Sequence, residues 1–433
     1  MVNLPIEFSD KKVPPFGGMS LMKRFVDSLG IRDKLNTLPL PEGQSNRAYD
    51  AVHIVESFWL SIWTGASRFI HADWLRYDDV LQCIFGFDRM PSQSTYSRFF
   101  GKFSDKRNTE LFPELHRWMM AQVHLSEITV DLDSTVITRS GEQPGSAKGY
   151  NPMKRGRNSH HPLMAFISQT RRVANAWVRP GNTADSSNCE AFLQETLPHA
   201  LAGQRIGLLR ADSGFYTENI LTTLESESIH YLIATRLYPN IKQKLYGLED
   251  WINVCPGIDV NQMTFAHENG KQRRYIIVRK AVDIRPKAGG KCLFDDPAYR
   301  FSCYVTTMDL PADSLWQLYN GRADCENRIK ELKQDVGLDQ FCLQGFWATE
   351  AAFRFIMIAY NIMSLFRFFA LQSHKTATLK TLRSYCFALG AWTVNHSNKT
   401  VLKISLPVKK RSWMMGIFAR IEKNPPPFQF SNA

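Results

Sequence analysis

The sequence predicts an α/β protein in which a mixed sheet flanked by helices follows a helical N-terminal part. Residues 1–125 carry apolar residues at helical spacing, for example in Ala51–Thr64. The segment 127–133 then alternates strictly between polar and apolar residues, which is typical of a strand. Long helical patterns return towards the C-terminal end, after further strand-like runs. These three observations place a sheet-containing core behind a helical domain.

The order of elements within the core refines this prediction. Strand-like runs occupy 127–133, 163–168, 173–178, 205–210 and 231–235. A helical segment at 188–200 separates the third run from the fourth, and a short helix separates the fourth from the fifth. The order is therefore three strands, helix, strand, helix, strand and then long helices. This is the order of a ribonuclease-H-like fold, in which helices flank a mixed sheet.

A different pattern interrupts the core at 236–300. Two alternating runs, 263–267 and 274–278, flank Asn269-Gly270, which is a strong hairpin signal. We interpret the segment as a β-rich insertion, after which 303–306 restores the edge of the sheet. The predicted division of the chain is a helical N-terminal domain, the first part of the core, the insertion, the second part of the core with a long polar helix, and a basic C-terminal region: 1–125, 126–235, 236–300, 301–371 and 372–433.

The charge of the chain indicates a polyanionic partner. It contains 53 Lys and Arg against 41 Asp and Glu, a formal net charge of +12. Within 372–433 there are ten Lys and Arg and one acidic residue, Glu422. A basic region of this kind suits a phosphate backbone, although a solvated, loosely ordered end has the same composition.

The cysteines and the most apolar segment bear on location. The eight cysteines are scattered without a C-x-x-C pair, which favours reduced thiols in a cytoplasmic protein and argues against structural zinc. His160-His161 lacks a second paired ligand set, so we expect a core or solvated role for it. The first 18 residues contain no apolar run of a secretory signal.

The apolar segment 347–371 has Glu350, Arg354, Asn361 and Arg367 within it, so we expect a buried core helix and no membrane partner.

A second helix signal lies within the N-terminal part. Pro91 and Ser92 form a helix start. The side chains that follow are of the types that contact bases and phosphates in a major groove: Gln93, Thr95, Tyr96, Arg98 and Lys102. We predict DNA recognition by Gln93, Arg98 and Lys102, while an ordinary soluble helix remains the alternative.

The chemistry-bearing pattern lies in 315–336. If this segment is one helix, Tyr319, Arg322, Glu326 and Lys333 fall within an arc of roughly 60°. An apolar stripe adjoins them, so the helix packs on the sheet by one stripe and presents the four polar side chains along its edge. An amphipathic helix with ordinary charge pairs would show the same spacing.

Two aspartates at strand ends make a catalytic interpretation of Glu326 stronger. Asp133 ends the first strand, and Asp212 follows the strand at 205–210. Carboxylates at strand ends of an open α/β sheet tend to converge on one site. Three carboxylates from separate elements can bind two divalent metal ions about 4 Å apart, and such a pair can cleave a phosphodiester. Asp131 points to the same face as Asp133, so periodicity does not choose between them.

The spacing Tyr319-x2-Arg322-x3-Glu326-x6-Lys333 resembles the Tyr-Arg-Glu-Lys signature of bacterial insertion-sequence transposases of the DDE type. Asp133-Ser134-Thr135 is similar to the context of that family's first aspartate, which selects Asp133 over Asp131. Asp212-Ser213-Gly214 after a strand is similar to the context of the second aspartate. Asp131 would then lie behind Asp133 and orient a basic residue or a metal-bound water.

The resemblance implies a cut-and-paste transposase, a DNA endonuclease and strand transferase. It implies that Asp133, Asp212 and Glu326 are the catalytic metal ligands for two Mg²⁺ ions, with Mn²⁺ as a substitute. It further implies that Tyr319, Arg322 and Lys333 bind DNA phosphate. An aromatic residue in the insertion receives a flipped base in relatives, and Trp251 is the candidate here, although a packed tryptophan remains the alternative.

The implied partners are double-stranded DNA, both transposon ends and target, and a second copy of the chain in the DNA complex. The implied location is the bacterial cytoplasm, at the nucleoid when the protein acts. Two other functions stay open. One is a transposase-derived DNA-binding protein without catalysis, and the other is a ribonuclease-H-like nuclease that only cuts.

Overall fold

A computed structural model of the chain describes residues 4–45, 47–200, 202, 204–266, 270–282, 298–372, 376–397 and 399–430. Its α-helices are α1 (Met19–Leu29), α2 (Ile31–Asn36), α3 (Ala51–Thr64), α4 (Phe69–Ala72), α5 (Asp79–Phe85), α6 (Gln93–Phe100), α7 (Asp105–Ala121), α8 (Cys189–Ala200), α9 (Glu218–Ser226), α10 (Pro239–Leu245), α11 (Ala312–Asn320), α12 (Ala323–Gln334), α13 (Phe346–Leu365), α14 (Leu379–Leu382) and α15 (Val408–Lys423). Its strands are β1 (Val123–His124), β2 (Glu127–Ser134), β3 (Ile137–Thr138), β4 (Ala147–Lys148), β5 (Asn158–His160), β6 (Leu163–Ile167), β7 (Arg172–Trp177), β8 (Arg205–Ala211), β9 (His230–Thr235), β10 (Ile252–Cys255), β11 (Ile258–Ala266), β12 (Gln272–Val282), β13 (Ala298–Thr306), β14 (Ala391–His396), β15 (Lys399–Ile404) and β16 (Phe428–Gln429).

The chain forms two compact units. The helical unit comprises residues 1–125, 137–146 and 329–433, and the sheet unit comprises 126–136 and 147–328. Glu326 on α12 therefore belongs to the sheet unit, whereas Lys333 near the end of the same helix belongs to the helical unit. The five-part division drawn from the sequence stays a prediction.

The sheet unit is built on one large mixed sheet, as the sequence predicts. Its nine strands lie in the order β10-β11-β12-β13-β9-β8-β2-β6-β7. The pairs β2–β8 and β8–β9 are parallel, whereas β2–β6 and β6–β7 are antiparallel. The predicted succession of elements is found as β2, β6, β7, α8, β8, α9 and β9. The parallel pairing puts the C-terminal ends of β2 and β8 side by side at one edge.

The segment 236–300, interpreted from the sequence as a β-rich insertion, contains the strands β10, β11 and β12. The predicted hairpin is present, because β11 pairs with β12 antiparallel from Ile258 to Ala266, while Asn269 lies outside the described residues. However, β12 also pairs with β13, and β13 pairs with β9, so these strands extend the central sheet. The expectation that 303–306 forms the sheet edge was therefore wrong. Tyr275, Ile276 and Ile277 are consecutive and fully buried, so β12 is covered on both faces as an interior strand is.

Helix α11 packs on this extended part of the sheet. Its residues Ala312 and Leu315 belong to a buried cluster with the β11 and β12 residues Val260, Ile276 and Val278. Burial of apolar area at about 25 cal/mol per Å² makes such a cluster the main stabilising contribution of the contact. The apolar side of α11 therefore packs on the sheet, and the polar side of the helix lies beside the strand ends.

The helical unit is organised around α13, which is the buried core helix that the sequence predicts. The helix Phe346–Leu371, including a final π-helical turn, is the one described helix long and apolar enough to cross a membrane by length and composition, and 89% of that window is buried in the protein. Trp59 and Trp63 on α3 donate their indole N–H groups to the carbonyls of Phe355 and Ala359, at 2.9 and 3.1 Å. These bonds satisfy the polar atoms of two buried tryptophans.

Candidate active site

Asp133 lies near the end of β2 and is almost fully buried. The side chain is 11% exposed. Its Oδ1 accepts a hydrogen bond from the backbone N–H of Ser134 at 2.8 Å. The same oxygen lies 3.2 Å from Nη2 of Arg322, and that guanidinium group also donates to the carbonyl of Leu132 at 3.1 Å. Arg322 therefore binds both the backbone and the carboxylate at the end of β2.

Asp212 begins the turn that follows β8, the parallel neighbour of β2. Its Oδ1 accepts from the N–H of Gly214 at 2.9 Å, which orients the carboxylate within the turn. The hydroxyl of Tyr319 donates to the carbonyl of Ala211 at 3.4 Å, immediately before Asp212. The ring of Tyr319 also packs on Tyr304, with centroids 4.3 Å apart. Tyr319 and Arg322 thus contact the ends of two adjacent strands.

The segment that carries Tyr319, Arg322 and Glu326 is two helices, so the prediction of one continuous helix was wrong. α11 ends at Asn320 and α12 begins at Ala323. The N–H of Arg322 donates to the carbonyl of Tyr319 at 2.9 Å. In a continuous α-helix it would donate to the carbonyl of Leu318, which here accepts from another donor. That donor is Nη1 of Arg210, at 2.5 Å.

Gly321 permits this break because a Cβ at that position would lie 2.8 Å from Nη1 of Arg210. Arg210 in turn is held by Asp131, so the buried ion pair on β2 and β8 fixes the point at which α11 ends. The expectation that Asp131 orients a basic residue behind Asp133 is confirmed, since Asp131 accepts from Arg210 through both carboxylate oxygens.

Glu326 stands one turn after Arg322 on α12, and its side chain is exposed. Lys333 follows seven residues later on the same helix and is half-buried in the helical unit. The structure therefore brings together Asp133, Asp212, Tyr319 and Arg322 through direct contacts and electrostatic interactions.

The pKa of Asp133 depends on the charges of two other carboxylates, Asp212 and Glu326. Burial raises the pKa of Asp133 to about 6, against the lowering effect of Arg322, and the negative charges of Asp212 and Glu326 raise it further. Burial is the largest single effect and would lower the pKa of Arg322, but the ionisable groups around it, Asp133 foremost, together outweigh burial and raise the pKa. Burial also raises the pKa of Tyr319, so this phenol is neutral at physiological pH. A cation near Asp133 would relieve the repulsion between the three acids.

The residues fit a divalent cation by their chemistry. Within the described residues no group of three or more His, Cys, Asp and Glu side chains is gathered closely enough to hold a metal ion. However, Asp133, Asp212 and Glu326 are hard oxygen donors that already repel one another, which is the donor set that Mg²⁺ prefers. Nε of Arg322 is buried without a hydrogen-bond partner in the described part of the chain, and an acceptor such as a phosphate oxygen would satisfy it.

A partly buried polar cluster beside Asp133 was not identified from the sequence. Ser134 donates through its hydroxyl to Oδ1 of Asp185, and Nε2 of His161 lies 3.0 Å from the Ser134 hydroxyl and 3.2 Å from the same carboxylate oxygen. The hydrogen bond from His161 is the main reason that the pKa of Asp185 is lowered. His161 is buried, as expected for a core role. The sequence signal was a polar loop, 180–188, between a strand and a helix.

The predicted recognition helix is α6, which begins after Ser92 and ends at Phe100. Gln93 and Arg98 are exposed, and Lys102 is exposed two residues beyond the helix end. Tyr96 is fully buried and donates to the hydroxyl of Ser57 at 3.0 Å, so the expectation that it faces DNA was wrong. Its ring fills the helical core because the apolar face of this short helix includes position 96.

Arg98 and Lys102 line a cavity of about 440 Å³ at the end of α6, together with Arg47, Arg89 and the ring of Tyr49. The guanidinium of Arg89 stacks on Tyr49, 4.2 Å from the ring centroid. In the described part of the chain none of the four cations has a carboxylate within 4.0 Å. The cavity therefore concentrates positive charge that an anionic ligand would neutralise.

Trp251 lies in the sheet unit just before β10 and is half-buried. The guanidinium of Arg279 covers its ring, 4.3 Å from the centroid, and also contacts the ring of Tyr299 at 4.6 Å. Its indole N–H donates to the carbonyl of Leu248 at 3.0 Å. These contacts are those of a packed tryptophan, and stacking on a base stays a prediction.

The comparisons with known proteins give one family. The family described as transposase DDE domain group 1 matches residues 2–426. No match was found among curated proteins. One similar solved structure is the cryo-electron microscopy structure of the piggyBac transposase synaptic complex with hairpin DNA, at 12% identity and a TM-score of 0.46 over 86% of this chain and 81% of that one. A likeness of that degree carries no conclusion about this chain. The family match covers nearly the whole sequence, and the chain therefore belongs to the transposase DDE domain group 1 family.

Proposed function

We propose that this protein is an active transposase that binds the ends of its insertion sequence, cleaves DNA phosphodiesters and joins the freed 3′-hydroxyl to target DNA. Family membership supports DNA transposition as the process. The residue-level arrangement supports catalysis as the mode of action, because the three proposed catalytic carboxylates interact electrostatically in one unit. A ribonuclease-H-like core is supported by the strand order β7-β6-β2-β8-β9 and its pattern of parallel and antiparallel pairs.

One observation carries the proposal. The break between α11 and α12 is fixed on the ends of β2 and β8, by Arg322 on Leu132 and Asp133 and by Tyr319 on Ala211. The first turn of α12 then places Glu326 close enough to raise the pKa of Asp133. An ordinary amphipathic helix with surface charge pairs would not need a buried arginine on a strand-end carboxylate.

Asp133, Asp212 and Glu326 would hold two Mg²⁺ or Mn²⁺ ions, which supply activation of the attacking oxygen and charge stabilisation at the leaving oxygen. Divalent metal ions are typical of DDE transposases. The chain's own residues position these acids: Arg322 and the Ser134 N–H hold Asp133, and the Gly214 N–H holds Asp212.

The other side chains would act on DNA. We assign phosphate binding to Tyr319, Arg322 and Lys333, with the guanidinium able to grip two phosphate oxygens. Tyr319 remains protonated and can donate a hydrogen bond to an anionic oxygen. Arg322 has a second role, which is to hold the carboxylate of Asp133, its closest ionic partner.

Recognition of the ends is assigned to α6 and the adjacent cavity. Gln93 is exposed at the start of the helix, where it can contact base edges, while Arg98 and Lys102 at the other end suit phosphates. We propose that two copies act in the DNA complex, in the bacterial cytoplasm at the nucleoid.

Reaction products distinguish this function from the alternatives. Purified protein, Mg²⁺, a plasmid carrying the inverted repeats that flank the gene and a second target plasmid would be incubated and the products sequenced. The proposal predicts element excision at the repeats and insertion junctions in the target. Cleavage without junctions would indicate a nuclease that only cuts. Specific binding to the repeats without any cleavage would indicate a DNA-binding protein derived from a transposase.

A further inference from the structure

Asp185 lies in the loop between β7 and α8 and contacts the ends of both strands that carry the proposed catalytic aspartates. On the β2 side its Oδ1 accepts from the Ser134 hydroxyl. On the β8 side its Oδ2 lies so close to Gly214 that a Cβ at position 214 would be 2.3 Å away. A carboxylate can occupy this place only because residue 214 is glycine.

The loop that presents Asp185 is fixed by hydrogen bonds. Nδ1 of His161 donates to the carbonyl of Thr183 at 2.7 Å. Nη1 of Arg179 donates to the carbonyls of Asp185 and Ser187, at 3.1 and 2.7 Å. Nη1 also donates to the carbonyl of Ala184 at 3.2 Å, so the guanidinium of Arg179, which is 3% exposed, binds three carbonyls of this loop. The loop backbone around Asp185 is therefore held by His161 and Arg179, while Oδ1 of its carboxylate is held by the Ser134 hydroxyl.

The two residues that Asp185 contacts are the same two whose backbone orients the proposed catalytic acids. The N–H of Ser134 binds Oδ1 of Asp133, and the N–H of Gly214 binds Oδ1 of Asp212. Asp185 thus contacts both residues whose N–H groups bind the two carboxylates: it accepts from the Ser134 hydroxyl and packs against Gly214.

We infer that Asp185 is a positioning residue that fixes the spacing of the Asp133 and Asp212 carboxylates for the metal ions of the proposed reaction. The inference rests on the proposed function, since it assigns a role within that same site. Asp185 acts through Ser134 and Gly214, whose N–H groups bind the Asp133 and Asp212 carboxylates. Loss of an outer-shell partner typically weakens metal binding about 10–100-fold.

The test compares Asp185→Asn with Glu225→Gln. Glu225 is a matched control in the sheet unit, since it is also partly buried and accepts hydrogen bonds from Tyr231 and Arg273. The first measurement is Mn²⁺ binding to the DNA-free protein, monitored by electron paramagnetic resonance. It requires no catalytic turnover. We expect Asp185→Asn to weaken Mn²⁺ binding about 10–100-fold. We expect Glu225→Gln to lower the thermal midpoint and leave Mn²⁺ binding unchanged.

A double-mutant cycle tests the route through Ser134. Because Ser134 and Asp185 share one hydrogen bond, Ser134→Ala combined with Asp185→Asn should weaken Mn²⁺ binding by less than the sum of the two single effects. A second readout is the rate of first nicking against metal concentration, where the Asp185→Asn curve should shift to higher Mg²⁺ and recover at saturation.

The outcomes separate the inference from the function. If Asp185→Asn binds Mn²⁺ as tightly as wild type while both proteins nick end-bearing DNA, the inference is wrong and the proposed function stands. If the wild-type protein neither binds Mn²⁺ nor nicks that DNA, the proposed function fails, and the inference fails with it.

Discussion

Arg210 holds Asp131 through two hydrogen bonds in the interior of the sheet unit, 2.6 Å from Nε to Oδ1 and 2.9 Å from Nη2 to Oδ2. Asp131 is fully buried and Arg210 is 3% exposed. Since Arg210 also binds the carbonyl of Leu318, this pair connects β2 to the helix break before Arg322. The two aspartates of β2 therefore have different partners and different expected roles.

The first prediction separates these aspartates. Asp131→Asn removes the charge partner of a buried arginine, and breaking such a pair costs about 3–5 kcal/mol. We expect a lower thermal midpoint and a first-nick rate reduced about 10–100-fold but measurable. Asp133→Asn should be folded and inactive, because a proposed metal ligand is lost. Nicking rates at saturating Mg²⁺ check this, and an active Asp133→Asn beside an inactive Asp131→Asn would reverse the assignment.

The second prediction concerns pH. The pKa of Asp133 is raised from 3.8 to about 6, so the metal-free folded protein retains a proton that the unfolded chain releases. This contribution to stability is present below about pH 4 and is lost as the pH rises through about 6. Asp133→Asn should therefore unfold at a higher temperature than wild type at pH 7, by about 1–3 kcal/mol in the free energy of unfolding.

Thermal midpoints measured from pH 4 to pH 8 in EDTA check this prediction. The difference between the two proteins should vanish near pH 4. Added Mg²⁺ at pH 7 should raise the wild-type midpoint and leave Asp133→Asn nearly unchanged, because a ligand stabilises only a protein that binds it. Equal midpoints across the whole pH range would show that folding does not raise the pKa of Asp133.

The third prediction compares Arg322 with Lys333. Arg322 contacts Asp133 directly, so Arg322→Ala should slow the first nick as well as the later joining step, by about 100-fold or more. Lys333→Ala should spare the first nick and reduce a later step, if its role is to bind phosphate. Single-turnover assays that resolve nicking from joining measure both. Arg322→Ala with a normal first nick would mean that its contact with Asp133 has no catalytic importance.

The fourth prediction concerns the cavity at α6. Arg98→Ala and Lys102→Ala should weaken binding to every DNA sequence alike and reduce the slope of log affinity against log salt by about one each. Gln93→Ala should reduce the preference for the element's own ends. Lys106→Ala is the control, since Lys106 is exposed and pairs with Glu110 on α7. A loss of sequence preference in Arg98→Ala or Lys102→Ala would instead assign these residues to base contacts.

The sequence predicted those features that depend on local patterns. The alternation in 127–133 and the Asn-Gly hairpin gave β2 and the β11–β12 pair, because side-chain periodicity and turn chemistry act over a few residues. The burial of α13 was predicted because charged residues interrupt its apolar run, which favours a core helix over a membrane span. The spacing identified Tyr319 and Arg322, which the structure brings to adjacent strand ends, and Glu326, whose charge raises the pKa of Asp133.

Features that depend on distant contacts could not be predicted in this way. The break between α11 and α12 requires Arg210, more than 100 residues earlier, to bind the Leu318 carbonyl. The extension of the sheet by β12 depends on its pairing with β13, which periodicity cannot show. Asp185 lies in a polar loop whose composition is typical of any turn, and only the fold places it between Ser134 and Gly214.

We propose that the carboxylate of Glu326 completes the catalytic site formed with the carboxylates of Asp133 and Asp212. The most direct measurement is the rate of first nicking by Glu326→Gln on DNA that carries the element's own ends, in Mg²⁺, with the affinity for the same DNA measured in parallel. The exposed position of Glu326 makes a folding defect in this variant unexpected. We expect unchanged DNA affinity and no detectable nicking by Glu326→Gln, and we expect wild-type nicking to stop in EDTA. Nicking by Glu326→Gln at the wild-type rate, or wild-type nicking that persists in EDTA, would contradict this proposal.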